Sequence, residues 1–190
     1  MNKTSRRPTK ILIIRHAEKP AKDGPPYGVT RKGERSKESL EVRGWERAGA
    51  LASLFAFLDG HYQHASLARP QFLFASKPVK RRGSRRPVET ITPLAERLSV
   101  KIVTEYRRSE LEEMLDDVFS RKGVVLICWQ REYIPQIASY ILNNKKTVPD
   151  WPEDRFDMAW VFDLQKSSGQ YKFKQVPQSL LLGDRVTHIK

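Results

Sequence analysis

The patterning of these 190 residues predicts an α/β fold, a three-layer α/β/α sandwich around a mostly parallel central sheet. Two observations carry the prediction. Continuous apolar runs, Ile11-Leu12-Ile13-Ile14 and Val124-Val125-Leu126-Ile127-Cys128, have the character of strands buried on both faces. Amphipathic segments of helical spacing alternate with such runs along the chain, as the crossovers of a parallel sheet require.

The first strand spans residues 10–14. Residues 21–39, with Gly24-Pro25-Pro26, Gly28 and dense alternating charge, read as a long surface loop able to cover a site. Trp45, Ala48, Leu51, Ala52, Leu54, Phe55 and Leu58 recur at helical spacing over 44–58, and Gly60 supplies a stop. A second strand covers 71–75 and ends at Ser76, before a basic loop over 77–85. Pro87 suits the first turn of a helix whose apolar face is Val88, Ile91, Leu94, Ala95 and Leu98, and Pro93 inside it predicts a kink or a late start. A short strand at 101–103 precedes a helix over 110–120, with Ser109 as its cap and Leu111, Met114, Leu115 and Val118 inward. Gly123 opens the strand at 124–128, and a helix over 133–142 follows with Ile134, Ile137, Ala138 and Ile141 apolar. After Pro149, residues 158–162 and 171–176, separated by Ser167-Ser168-Gly169, read as a β-hairpin at the sheet edge.

The length suits one domain, taken as 1–190 with a flexible basic tail at 1–9. A net charge of +13 favours anionic partners, which include phosphorylated metabolites, nucleic acid and acidic membranes. The basic runs at Arg6-Arg7, Lys80-Arg81-Arg82, Arg85-Arg86 and Arg107-Arg108 read as solvated loops, and no RNA-recognition, helix-turn-helix or zinc-finger spacing accompanies them. No specific nucleic acid and no membrane is therefore expected as a partner. The apolar run after the basic start is too short for a signal peptide or a membrane span. A lone cysteine, Cys128, excludes an intramolecular disulfide and argues against a zinc site, so a reducing cytoplasm is the expected compartment.

Three strand exits carry groups suited to chemistry: Arg15-His16, then Ser76 with Arg85 and Arg86, then Gln130-Arg131-Glu132. Ligands gather at the carboxyl ends of strands in open α/β sheets, so these distant segments are expected to converge on one cationic pocket. The competing reading of Arg15-His16 alone is a solvated strand end. Guanidinium forks match phosphate oxygens bidentately and stay charged, so Arg15, Arg86 and Arg131 would clamp a phosphoryl group without a metal or other cofactor. His16 would attack phosphorus through a neutral ring nitrogen, which the neighbouring cations keep available by disfavouring imidazolium.

These residues resemble the histidine phosphatase superfamily, the phosphoglycerate mutase-like phosphatases. The likeness lies in Arg15-His16-Ala17-Glu18, in Leu40-Glu41-Val42-Arg43-Gly44-Trp45-Glu46-Arg47-Ala48, and in Arg86-Pro87-Val88-Glu89-Thr90. Cys128-Trp129-Gln130-Arg131 with Ile134-Pro135, and Trp151-Pro152 with Phe156-Asp157-Met158-Ala159-Trp160, are similar to one branch of that superfamily. The resemblance implies a phosphoglycerate mutase-like fold, His16 as the phosphorylated nucleophile, and Arg15 and Arg86 as clamps. It also places the family's second histidine at Arg131, a departure. Glu105 lies nearest the position of the family's proton donor, with Glu18 and Glu110 as alternatives. Cys128 reads as a small buried residue, His61 and His64 as surface groups at the far end of the sheet, and His188 as part of a mobile terminus. The implied activity is hydrolysis of a small phosphomonoester through a phosphohistidine, with a weakened or inactive phosphate-binding member as the alternative. A phosphorylated small molecule or inorganic phosphate is the expected partner, and loops 21–39 and 77–85 are expected to set its identity.

Overall fold

The computed structural model describes residues 7–57, 62–79, 83–143 and 147–190. Leu58, Gly60, His61, Lys80-Arg81-Arg82 and most of the basic tail, all used in the reading above, lie outside them. The elements are β1 (Lys10–Arg15), α1 (Val42–Phe55), β2 (Phe72–Ala75), α2 (Arg86–Leu98), β3 (Ile102–Val103), α3 (Leu111–Ser120), β4 (Val124–Trp129), α4 (Ile134–Ile141), β5 (Met158–Leu164) and β6 (Tyr171–Pro177). One six-stranded sheet has the order β3-β2-β4-β1-β5-β6. The first four of these run parallel, and the hairpin β5-β6 adds antiparallel to the edge of β1.

The two-residue period of the strands sorts side chains into two layers. Ile11, Ile13, Val125, Ile127 and Trp129 pack with Met114, Leu115 and Val118 of α3 and with Ile134 and Ile137 of α4. Leu12, Ile14, Leu126 and Cys128 pack on the opposite face with Leu51, Leu54 and Phe55 of α1 and with Ile91 and Leu94 of α2. That double coverage is why β1 and β4 read as unbroken apolar runs. This is the three-layer α/β/α arrangement expected from the sequence.

Local differences have local causes. α1 starts at Val42 and ends at Phe55, where the Ala56 N–H closes on the Ala52 carbonyl. α2 runs unbroken through Pro93 to Leu98, because the apolar face of Ile91, Leu94, Ala95 and Leu98 is fixed against the sheet despite the missing N–H. Ser109 does not cap α3. The residue before that helix is Glu110, whose carboxylate turns back to accept the Arg107 N–H at 2.8 Å. The C-terminal segment is packed: Ile189 is buried and exchanges hydrogen bonds of 2.8 and 2.9 Å between its backbone and the Gln175 amide. The described end of the tail is packed too, since Tyr171 donates its hydroxyl to the Pro8 carbonyl at 2.8 Å. No helix among the described residues is long and apolar enough to cross a membrane.

Candidate active site

β1 and β4 are adjacent and in register, Arg15 opposite Trp129, so the chain leaves both strands at one level of the sheet. The His16 N–H continues the ladder to the Trp129 carbonyl at 3.1 Å. Beyond it, the Ala17 N–H donates to Thr90 Oγ1 at 2.8 Å, and that hydroxyl donates to the Arg86 carbonyl at 2.7 Å. One threonine thus ties the strand exit to the first turn of α2. Glu89, one residue earlier, accepts from the Ser39 hydroxyl and the Leu40 N–H, both at 2.9 Å, and so holds the end of the long loop against the same turn.

The strap at Glu18 is anchored from the other side. Arg47 is 2% exposed, and every nitrogen of its guanidinium donates: to both oxygens of Glu18, to both oxygens of Asp184 and to Gln178 Oε1. Burial disfavours charge on Arg47, but the carboxylates of Asp184 and Glu18 outweigh it and raise its pKa. Gly44, one turn earlier on α1, lies against the strap so closely that a Cβ there would come within 2.5 Å of the Glu18 carbonyl oxygen. The motif Arg-His-x-Glu, the glycine of α1 and the Glu89-Thr90 pair are therefore parts of one frame.

His16, only 5% exposed, sits at the centre of that frame. Its Nδ1 is 2.8 Å from the Ala17 carbonyl, an acceptor, which fixes the proton on Nδ1 and leaves the Nε2 lone pair available. Burial, then Arg15, lowers its pKa to about 3; Arg86 and Lys19 push the same way, and only the bond to Ala17 opposes them. At neutral pH the ring is uncharged. Arg15, 1% exposed, stacks on Phe156 with its guanidinium carbon 3.8 Å from the ring centre. Its Nη1 donates to the carbonyls of Pro152, Glu153 and Arg155 at 2.6–3.1 Å, while its Nε is buried without a partner. Burial and then Arg131 pull its pKa down to about 10. Arg86 donates Nη1 to the Lys37 carbonyl at 3.1 Å and likewise has a buried, unpartnered Nε; burial lowers its pKa against Glu38, Glu89 and Glu132.

The structure therefore brings Arg15, His16, Arg86 and Arg131 together. Arg131 is partly exposed, its Nη1 3.5 Å from the Trp151 carbonyl and its Nη2 4.0 Å from Glu153. Glu105 is not joined to them: it is exposed beyond β3, and its electrostatic influence falls on Tyr106. Glu18 is committed to Arg47, and Glu110 to the Arg107 backbone. Cys128 is buried, with its thiol pKa pushed up by desolvation, which rules against a thiolate nucleophile. His64, before β2 and so at the opposite end of the strands, accepts the Ser66 N–H on Nδ1 at 3.0 Å; His188 is exposed beside the packed Ile189. No cluster of metal-ligating side chains occurs among the described residues.

A cleft of about 550 Å³ opens beside Arg86, lined among others by Lys19, Lys22, Lys37, Glu153 and Phe156; Arg15, His16 and Arg131 are not among its lining residues. The long loop supplies Lys22 and Lys37, and Lys19 comes from the chain between β1 and that loop. Phe156 and the carbonyls of 152–155 were not legible as site groups, because a backbone carbonyl leaves no mark in a sequence and Phe156 stands amid ordinary core aromatics.

No family model matches the sequence, and no curated protein matches it. Solved structures do share its fold. An α-ribazole phosphatase from Shigella flexneri matches over 93% of this chain and 99% of its own, with a TM-score of 0.56 and 12% identity. The protein histidine phosphatase SixA, complexed with tungstate, matches over 89% and 97% with a TM-score of 0.52 and 14% identity. A phosphoserine phosphatase mutant from Entamoeba histolytica, in complex with phosphoserine, matches over 91% and 99% with a TM-score of 0.50 and 12% identity.

Proposed function

We propose, for a chain that has the histidine phosphatase fold, that it hydrolyses small phosphomonoesters through a phosphohistidine on His16. One observation carries the reading: a buried, neutral imidazole with Nε2 free stands beside two buried guanidinium N–H groups, Nε of Arg15 and Nε of Arg86, that have no partner among the described residues. Buried donors of this kind are costly unless an acceptor reaches them, and a phosphoryl oxygen is the acceptor that charged guanidinium groups fit best. The tungstate on one protein of this fold and the phosphoserine on another support an oxyanion as the ligand.

In the first step Nε2 of His16 would attack phosphorus in line as the P–O bond to the alcohol breaks, with the arginines holding the charge on the equatorial oxygens. The alkoxide leaves with a proton from a donor or from water. In the second step water attacks phosphorus, the P–N bond breaks and phosphate departs. Arg131 contributes charge to both steps but carries no proton to give or take near neutral pH. A second reading, phosphate binding without turnover, draws on that same residue.

The test is hydrolysis of an aryl phosphate, whose phenolate leaves without an acid, followed from pH 4 to pH 9 against a His16→Ala control. Turnover above the control together with an alkali-stable phosphate adduct on His16 supports the enzyme. No turnover, with inorganic phosphate still bound in calorimetry, supports the second reading.

A further inference from the structure

A second cavity, of about 290 Å³, lies on the other side of the Gln130 turn, and it shares no lining residue with the cleft over Arg86. Its walls come from the β2–α2 connection, through Lys77, Ser84 and the chain near them, and from the β3–α3 connection, through Arg107, Arg108 and Ser109. Lys77, Arg107 and Arg108 line it, and of these Arg107 is paired with Glu110, its Nε 3.8 Å from the carboxylate that also accepts its backbone N–H at 2.8 Å. The side chains of Lys77 and Arg108 are exposed and form no hydrogen bond or ion pair with a described residue. The cavity is cationic, compact and open at the surface.

Gln130 lines it and is 9% exposed. Its Nε2 donates to Ser76 Oγ at 2.8 Å, and its Oε1 is buried with no partner. A hydroxyl can donate as well as accept, so the amide can turn over, accept from Ser76 and present its NH2 instead. In either orientation one polar end of a buried amide stays unsatisfied until a ligand reaches it. In one it suits a ligand hydroxyl, in the other an anionic oxygen.

We infer that this cavity is a second oxyanion site, which takes a phosphate-type group on Lys77 and Arg108 with the Gln130 amide as its buried hydrogen-bonding partner. Hydrogen phosphate and the phosphate of a sugar ester both bring oxyanion and hydroxyl together, which matches cations and an adaptable amide in one small space. The inference goes beyond the reading of His16 and does not depend on it.

Calorimetric titration with inorganic phosphate at low ionic strength tests it. Wild-type protein is expected to bind two phosphates per chain, Lys77→Ala/Arg108→Ala one, and Arg86→Ala the other one. Both substituted side chains are exposed, so the double variant keeps its fold. A single phosphate on the wild type that is still bound by Lys77→Ala/Arg108→Ala, or two on that double variant, overturns the second site. If Arg86→Ala retains both ions while the double variant loses one, the second site stands and the reading of the first fails. Kinetics separate the two sources of the ion: a KM raised about tenfold for a sugar bisphosphate but not for an aryl phosphate identifies the substrate's second phosphate. KM unchanged for both, with one ion lost in calorimetry, identifies free phosphate.

Discussion

Replacing His16 by Asn should make the protein less sensitive to acid. In the unfolded chain the imidazole titrates near 6.5, whereas in the fold burial and Arg15 lower its pKa to about 3. Between those values the unfolded state takes up a proton that the native state refuses. The neutral ring therefore contributes stability that is complete above pH 6.5 and is lost as pH falls toward about 3. Each pH unit well inside that window corresponds to about 1.4 kcal/mol and the slope is half that at pH 6.5, so the wild type should lose about 2 kcal/mol from this residue between pH 6.5 and pH 4.5. Asn cannot titrate, and its NH2 can still donate toward the Ala17 carbonyl. Urea unfolding at pH 7.5, 6.5, 5.5 and 4.5 measures the effect. Carboxylates titrate in both proteins, and subtracting one stability curve from the other removes them. The two curves should converge or cross as pH falls. Parallel curves would mean that His16 is solvated or charged in the native state, and the argument for a neutral nucleophile would fail with them.

Other consequences are as concrete. Arg47→Ala leaves Glu18 and Asp184 buried without their shared cation and should cost about 3–5 kcal/mol in urea unfolding at pH 7; a loss near zero would show that the tail and the strap do not depend on it. Gly44→Ala forces Cβ onto the Glu18 carbonyl, so it should destabilise by about 1–3 kcal/mol and lower kcat with an aryl phosphate, whereas unchanged stability and rate would mean that the strap gives freely. Because His16 stays neutral well below pH 6, the acid limb of kcat/KM should follow the second ionisation of the substrate, near 6 for a phosphate ester, and should move when a substrate of different acidity is used. A limb fixed for every substrate would assign it to the protein. Arg131→His should keep the melting temperature, since the side chain is partly exposed and makes only long contacts, 3.5 Å to the Trp151 carbonyl, 3.7 Å to Glu132 and 4.0 Å to Glu153, and should raise kcat. An unchanged rate would place the missing proton-handling group elsewhere.

The sheet was legible because burial on both faces leaves only apolar residues between Lys10 and Arg15 in β1 and throughout β4, and little but a strand between helices yields such short apolar runs. Helix ends were less so, since they depend on which carbonyl finds a partner; Ser109 was a plausible cap, and Glu110 took the place before the helix instead. At the site, charge and position exposed Arg15, His16, Arg86 and Arg131. What the sequence concealed was division of labour. Glu18, an acid beside the nucleophile, looks catalytic on paper and is consumed by Arg47 in space. Glu105, two positions past β3, has no partner at the site among the described residues because β3 is an edge strand three places from β1. The separate cavity beyond Gln130 was invisible, since it depends on which way two loops leave the sheet.

The charge around His16 also explains why an arginine at 131 matters more than its size. Arg15 is held at about 10 by burial and then by Arg131, so the neighbouring guanidinium disfavours the charge that Arg15 still carries at neutral pH. Arg86 is strained in the same sense by burial, with Glu132 as a partial counterion to both Arg15 and Arg86. A phosphate dianion among these groups relieves all of the penalties at once, in the substrate, in the transition state and in the product alike. Affinity shared equally by all three states lowers KM without speeding chemistry. A histidine can shed its proton and with it part of its hold on the departing phosphate; a guanidinium cannot. On the reading proposed for His16, Arg131 would shift the difficult part of the cycle from the attack toward release of the product, through permanence of charge rather than loss of a nucleophile.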